Sequence, residues 1–137
     1  MRIFQEKLQI KTTKLYDFVK ITADIEKTVQ KSKIIDGMIF ANALHNTAAL
    51  ILQEDDKTIH RDLINSLEKL FPLNEKYEHD YESNVNATAH LKSNFLGTTI
   101  ALPLKDNHIV LGTWQDVFVV ELFEPRNRGV LITIIGE

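Results

Sequence analysis

The segment GMIFANALHNTAALILQE, residues 37–54, decides the fold of this chain. Its length alone would suit one helix, but it is rich in β-branched and aromatic residues and is interrupted by the polar tripeptide His45-Asn46-Thr47. Residues of those types favour the pleated, half-buried surface of a sheet. The pattern therefore predicts two strands with a polar interruption between them.

The elements before this segment follow from hydropathy periodicity. Residues 2–11 alternate polar and apolar side chains, which indicates a half-buried strand, and residues 16–21 are a second, shorter strand candidate. Thr22 is predicted as a helix N-cap because its hydroxyl group can accept a hydrogen bond from a backbone N–H of the first turn. The apolar stripe of this helix consists of Ile21, Ile25 and Val29.

The elements after the segment begin with the clearest helix of the chain, over residues 57–71. Asp55 or Asp56 can cap it, and Pro72 marks its end. A further helix is predicted over residues 85–96. Four strands are predicted at residues 98–104, 108–112, 117–123 and 130–135. The first three are expected to form a meander, and the last two are expected to be buried on both faces.

The order of these elements indicates the fold class. The predicted order is two strands, a helix, two strands, one or two helices and four strands. This order is typical of an α+β domain. We therefore expect antiparallel β-sheets packed in a compact single domain over residues 1–137, with two or three helices, and no parallel doubly wound sheet.

Composition narrows the function classes. The chain has 137 residues, a formal charge of -3 and no cysteine, so disulfides, thiolate metal sites and cysteine nucleophiles are excluded. The acidic balance gives no general electrostatic case for nucleic acid or an anionic membrane. No apolar run approaches the roughly 20 residues that span a bilayer. These features predict a cytoplasmic protein.

The stretch YEHDYESNVNATAHLKSN, residues 77–94, is the most polar part of the chain and suggests a site. On a helix, Asn86, His90 and Asn94 would share one face. Together with His79 and with His45 from the strand interruption, His90 could bind a divalent metal, because neutral imidazole is a common zinc ligand. The alternative is that these histidines are hydrogen-bonded residues at the edge of a core.

Glu121 is a carboxylate in the apolar run VFVVELF, where burial requires a partner. Arg126 and Arg128 follow shortly, and either could pair with it across the turn. One interpretation is a structural ion pair at a sheet edge. The other is a carboxylate with an altered pKa, or an arginine pair that binds phosphate.

The segment Gly112-Thr113-Trp114-Gln115 combines a glycine at a strand end with the only tryptophan of the chain. Trp114 could belong to the core, which is the commoner use of this residue, or line a ligand site to which Thr113 and Gln115 add hydrogen-bonding groups. We interpret the two remaining histidines, His60 and His108, as surface residues outside the site.

Five motifs in order resemble a known group of proteins. They are HNTAALILQE at 45–54, YEHD at 77–80, NATAHLKSNFLG at 86–97, LGTWQ at 111–115 and VELFEPRNR at 120–128. Together they identify the chain as a member of the YjbQ-type family. Asn46 departs from the family pattern, in which threonine more often follows the histidine directly.

The resemblance implies a compact α+β fold, a homotrimer and a secondary thiamine-phosphate synthase activity. That reaction joins hydroxymethylpyrimidine diphosphate to thiazole phosphate and releases diphosphate. Metal-dependent hydrolysis and non-catalytic binding of a small molecule remain alternatives. The chain lacks a glycine-rich phosphate loop and an Asp-rich magnesium motif, so the activity could be a side reaction.

The recurring polar positions of the family carry over with assigned roles. The expected partner is a phosphorylated small molecule, with a divalent metal (zinc or magnesium) and no organic cofactor. The catalytic candidates are His45, His90, Glu121 and Gln115, the substrate-binding candidates are Asn86, Thr113, Trp114, Arg126 and Arg128, and the metal ligands are His45, His79 and His90.

Overall fold

The computed structural model describes residues Met1–Glu137. Its elements follow the predicted order, which confirms the α+β class. They are β1 (Arg2–Lys11), β2 (Phe18–Lys20), α1 (Thr22–Ser32), β3 (Gly37–Ala43), β4 (Ala48–Gln53), α2 (Lys57–Leu70), α3 (Asn84–Leu96), β5 (Thr99–Lys105), β6 (His108–Ile109), β7 (Asp116–Glu121) and β8 (Asn127–Gly136). No helix is both long and apolar enough to cross a membrane.

The strands form two antiparallel sheets. The large sheet has the order β1-β8-β3-β5-β6, and the small sheet has the order β2-β7-β4. The predicted break at His45-Asn46-Thr47 separates β3 from β4, and the chain crosses there from the large sheet to the small one. The polar interruption is thus the corner between the two sheets.

The main core lies between the two sheets and against α1. The large sheet contributes residues such as Ile39 and Ile132, the small sheet contributes Val119, and α1 contributes Ile25 and Val29. The opposite face of the small sheet packs against α3 through a second cluster, which comprises Ala49, Ala89, Val120 and Leu122. The small sheet is therefore covered on both faces, as predicted for β7.

Three local predictions are wrong. Thr22 does not cap α1 but is its first residue, because its hydroxyl group donates to Asp116 Oδ1 at 2.7 Å and accepts from the N–H of Val117 at 2.9 Å. β8 is not buried on both faces, because no helix covers the outer face of the large sheet, where Leu131 and Ile135 are half-buried. The predicted meander stops after β6, since β7 joins the other sheet.

Helix α2 begins as predicted but is only partly packed. Asp56 is its N-cap, and its carboxylate accepts from the N–H of Thr58 at 2.7 Å. Of its side chains only His60 and Leu67 are buried, while Leu70 is 57% exposed. Much of the apolar side of α2 is therefore uncovered.

Candidate functional site

The corner between the sheets contains an ion pair with both side chains fully buried. Arg128 of β8 is 1% exposed and Glu121 at the end of β7 is 0% exposed. Arg128 Nε donates to Glu121 Oε1 at 2.8 Å, and Arg128 Nη2 donates to Oε2, so the pairing is bidentate. Of the two predicted partners of Glu121, Arg128 is the one that the fold selects.

Further hydrogen bonds complete the environment of this pair. Thr12 Oγ1 donates to Glu121 Oε1 at 2.6 Å, and the N–H of Phe123 donates to Oε2 at 3.0 Å. Arg128 Nη2 also donates to Thr47 Oγ1 at 2.9 Å and to the Thr47 carbonyl at 3.1 Å. We refer to Thr12, His45, Thr47, Glu121 and Arg128 as the arginine cluster.

The charge of Glu121 is stabilised inside this cluster. Burial alone would raise the pKa of Glu121, but the hydrogen bonds from Arg128, Thr12 and Phe123 outweigh it and hold the pKa below its usual value. The carboxylate is therefore ionised at neutral pH, and Arg128 has no free charge to offer a ligand. Both residues hold the corner in place; neither is exposed to a substrate in this chain.

His45 is the member of the cluster that reaches the surface. Its Nε2 accepts a hydrogen bond from the N–H of Gly129 at 2.8 Å, which places the ring proton on Nδ1. Burial lowers the pKa of His45, and the nearby Arg128 lowers it further. His45 is consequently a neutral imidazole whose Nδ1–H can donate. Its one lone pair is engaged, which does not suit metal ligation.

Lys7 of β1 lies near His45, and no sequence pattern singles it out. A Cβ atom built on Gly129 would lie 2.6 Å from Lys7 Cε, 3.3 Å from Lys7 Nζ and 3.8 Å from His45 Nε2. Gly129 therefore allows the ammonium group of Lys7 to pass close over the backbone next to the imidazole. Lys7 forms no ion pair, and no pattern in β1 distinguishes it from its exposed neighbours Gln5 and Gln9.

His79 and His90 form a second polar group. Their ring centroids are 4.7 Å apart at an interplanar angle of 68°. Burial lowers the pKa of His90, and the neighbouring His79 lowers it further. His90 lies on α3, whose N-cap Ser83 accepts from the N–H of Asn86 at 3.0 Å, and Asn86 itself is 4% exposed. Asn86 and His90 therefore share one face of the predicted helix, with Asn86 buried and His90 half-buried.

The packing of α3 on β4 relates the two groups. Ser93 Oγ donates to the Ala48 carbonyl at 2.7 Å, and the N–H of Leu50 donates to the Gly97 carbonyl at 3.1 Å. The helix and the strand therefore run in the same direction, so His90, before Ser93, lies toward the corner that precedes Ala48. The groups share one end of the small sheet, yet no three His, Asp or Glu side chains form a metal-binding group.

Other predicted site residues lie elsewhere. Thr113, Trp114 and Gln115 precede β7, whereas Glu121 ends it, which separates them by the length of the strand, about 17 Å. Gln115 Oε1 accepts from the N–H of Gly112 at 2.8 Å, and Trp114 is 72% exposed, so it is not a core residue.

Arg126 is exposed and is not a partner of Glu121. Its Nη2 lies 2.6 Å from Glu124 Oε1, and its guanidinium carbon lies 5.2 Å from the centroid of the Phe123 ring. Its N–H donates to Thr12 Oγ1 at 2.9 Å, so Arg126 adjoins the arginine cluster at the surface and remains a candidate for substrate binding.

The interpretation of His60 as a surface residue is wrong. Its ring is stacked on Phe18 at a centroid distance of 4.2 Å and meets Phe118 edge-on at 4.9 Å. His60 is on the α2 face that packs on the small sheet and is 8% exposed. His108 is exposed as predicted, and its Nδ1 lies 2.5 Å from Glu26 Oε1.

Comparisons with known proteins agree with this architecture. The sequence pattern of the family described as "UPF0047 protein YjbQ-like" matches residues 6–137. A UPF0047 protein of Methanocaldococcus jannaschii is 36% identical over 132 residues, which are 96% of this chain and 94% of that protein. A UPF0047 protein of Archaeoglobus fulgidus is 34% identical over 125 residues, or 91% and 96% of the two chains.

Solved structures show the same fold. A YbjQ-like protein of unknown function from Sulfolobus solfataricus superposes with a TM-score of 0.93 at 30% identity, covering 99% of each chain. An uncharacterised protein from Clostridium acetobutylicum gives a TM-score of 0.88 at 30% identity, covering 95% of this chain and 99% of that one.

Proposed function

Because this chain belongs to the UPF0047 YjbQ-like family, we propose that it is a transferase of the thiamine-phosphate synthase type that joins hydroxymethylpyrimidine diphosphate to thiazole phosphate. The observation that carries the proposal is the pair of unengaged donors at the corner, the Nδ1–H of neutral His45 and the ammonium group of Lys7. Both suit the oxygens of a departing diphosphate.

The chemistry requires charge stabilisation at the leaving group. The C–O bond to diphosphate breaks, the thiazole nitrogen forms the new C–N bond, and negative charge increases on the departing oxygens. Donors aimed at those oxygens lower the barrier. Lys7 supplies a positive charge and His45 a neutral donor, and Arg126, whose N–H donates to Thr12, lies at the surface beside the cluster.

The arginine cluster acts by positioning His45. Arg128 holds the carbonyl and hydroxyl groups of Thr47, two residues after His45, and Glu121 fixes Arg128. The N–H of Gly129 selects the tautomer of the imidazole. In the proposal, Glu121 and Arg128 therefore keep the donor in place, a change from the direct roles expected from the sequence.

A divalent metal fits one part of the proposed site. His79 and His90 could supply two imidazole nitrogens, a donor set that suits zinc better than magnesium. A metal bound there would stabilise the negative charge on the oxygens of the leaving group. His45 is not included, since its lone pair accepts from Gly129.

The test is release of diphosphate from the two thiamine precursors. The Lys7→Gln variant should lower kcat/KM by about 10-fold or more, because a charge-assisted hydrogen bond contributes about 1.5–3 kcal/mol. Lys11→Gln is the matched control, an exposed lysine on the same strand face, and should leave the rate unchanged. No turnover by the unmodified protein would refute the synthase activity, and ligand-induced stabilisation without turnover would indicate a binding protein.

The histidine pair favours one second candidate, a hydrolase that uses metal-bound water. Accessible imidazoles at 4.7 Å are the observation behind it. Elemental analysis of the purified protein, followed by zinc titration of His90→Ala, checks this alternative. A protein that contains no metal and takes up no zinc excludes it.

We also propose that the chain assembles into a homotrimer. Trp114 is 72% exposed and its loop lies far from the corner in one chain, so the proposed site would be complete only if a neighbouring subunit supplied that loop.

A further inference from the structure

A cavity lies on the outer side of the small sheet, between β2 and α2. It has a volume of about 360 Å³, within the range of small-molecule sites. It shares no residue with the arginine cluster or with the histidine pair. The residues that line it are Lys14, Tyr16, Asp17, Phe18, Asp55, Lys57, His60, Arg61 and Ile64.

The cations of this cavity are free and its carboxylates are not. The side chains of Lys14, Lys57 and Arg61 form no ion pair and no hydrogen bond within the chain. In contrast, Asp55 accepts from Lys20 Nζ at 2.9 Å, and Asp17 accepts from the N–H of Thr13 at 2.8 Å and from its hydroxyl group at 3.1 Å. Lys20 neutralises Asp55, whereas Asp17 keeps its negative charge, so the three cations leave the lining with a net positive charge.

His60 adds a fixed polar atom to the wall. Its ring is locked by stacking on Phe18, and its Nε2 lies 3.1 Å from the Glu54 carbonyl, which can only accept, so Nε2 carries the proton. Nδ1 has no hydrogen-bond partner in the chain. Every fully buried side-chain nitrogen or oxygen of the chain has a hydrogen-bond partner. Because Nδ1 has no partner, it is not fully buried and is accessible to solvent. It can accept from a ligand hydroxyl, such as the P–OH of a phosphate monoester.

The backbone of α2 does not bind the anion itself. Its first free N–H groups are capped by the carboxylate of Asp56, whose pKa is lowered first by the hydrogen bond from the Thr58 hydroxyl group and then by the bond from the Thr58 N–H. Recognition therefore depends on side chains, with Arg61 able to bind two oxygens of one phosphate group. Phe18 and Ile64 supply apolar surface beside the charges.

We propose that this cavity binds a small phosphate monoester. Its phosphate lies among Lys14, Lys57 and Arg61, and its apolar body lies against Phe18 and Ile64. The site is separate from the proposed transferase site and goes beyond that function.

The test is an NMR titration of the ¹⁵N-labelled protein with phenyl phosphate at constant ionic strength. Saturable shifts of the Phe18 and Ile64 amides are expected. The double variant Lys57→Gln/Arg61→Gln should weaken the Kd at least about 10-fold, because two charge-assisted contacts are lost. The matched control is Lys69→Gln, an exposed lysine in the last turn of the same helix. Shifts that do not saturate, or an unchanged Kd in the double variant, would overturn the proposal.

Two further measurements test whether the cavity selects phosphate over carboxylate and whether it binds independently of the corner site. Benzoate carries the same ring with a carboxylate, and equally tight binding of benzoate would overturn recognition of phosphate. The Gly129 amide reports on the corner, so Lys7→Gln should alter its response and leave the shifts of Phe18 and Ile64 unchanged. If only Gly129 responds, the cavity proposal fails and the transferase proposal is unaffected.

Discussion

At the scale of single residues, Glu121 and Arg128 form the one ion pair in which both side chains are buried, at 0% and 1% exposure. We predict that Glu121→Gln destabilises the fold by about 3–5 kcal/mol, because it leaves the Arg128 charge buried without a counter-charge. Chemical denaturation at pH 7 measures the change.

Glu124→Gln is the matched control for that substitution. Glu124 pairs with Arg126 at 2.6 Å on the surface, where ion pairs contribute little. Equal destabilisation by the two changes would show that burial does not determine the effect.

His45 provides a prediction on pH. Burial and Arg128 lower its pKa in the folded chain, whereas the unfolded chain has a histidine pKa of about 6.5. Below about pH 6.5 the unfolded state gains a proton that the folded state does not, so stability falls as the pH falls toward the folded pKa. His45→Gln, whose carbonyl can still accept from Gly129, should reduce this dependence to the part that His90, whose pKa is also lowered, contributes. The check is denaturation at several pH values, with the His45 ring protons followed by NMR.

The sequence predicts some of these residues better than others. Glu121 is identifiable because a carboxylate in an apolar strand requires a partner, and an arginine follows within reach. Lys7 is not identifiable, because its position depends on the pairing of β1 with β8, which brings it near Gly129. That pairing joins residues more than a hundred positions apart in the sequence, so local sequence patterns do not predict it.

At the scale of elements, α3 connects helix capping to the site. Ser83 Oγ accepts from the N–H of Asn86, in the turn that precedes His90. Ser83→Ala should destabilise the protein by about 1 kcal/mol and increase hydrogen exchange at Asn86, because that donor loses its partner. Ser66→Ala, at an exposed position inside α2, should be neutral or slightly stabilising. Unchanged exchange at Asn86 would contradict a capping role.

The element predictions are likewise accurate where local sequence patterns determine the structure. Patterns of period 2 and 3.6 gave the order of all eleven elements, including the division of residues 37–54 into β3 and β4. They failed where tertiary contacts decide the outcome. Thr22 bonds to β7 and so cannot cap its own helix, and the outer face of β8 is uncovered although its side chains are apolar.

At the scale of the whole molecule, the outer face of the large sheet is the main uncovered surface. The sheet register places Ile3, Ile135, Met38 and Pro103 in one row across four strands. We predict that light scattering will give three times the chain mass of 15.7 kDa and that Ile135→Lys will lower it, because a charge in an apolar interface is costly. Thr133→Lys, in the next row with Gln5, Phe40 and Ala101, should also lower the mass if that row belongs to the interface, and a monomeric unmodified protein contradicts the assembly.

The proposed assembly would account for the position of the proposed site residues at both ends of β7. If one subunit supplies Lys7 and His45 and its neighbour supplies Gln115, two variants impaired at different ends should complement each other. Mixing Lys7→Gln with Gln115→Ala after subunit exchange creates sites with both residues intact, so diphosphate release should exceed the sum of the separate samples. Lys7→Gln mixed with His45→Gln is the control, because both changes affect the same end and no intact site can form. A purely additive rate in the first mixture, with exchange verified by mass spectrometry, would place each site within a single chain.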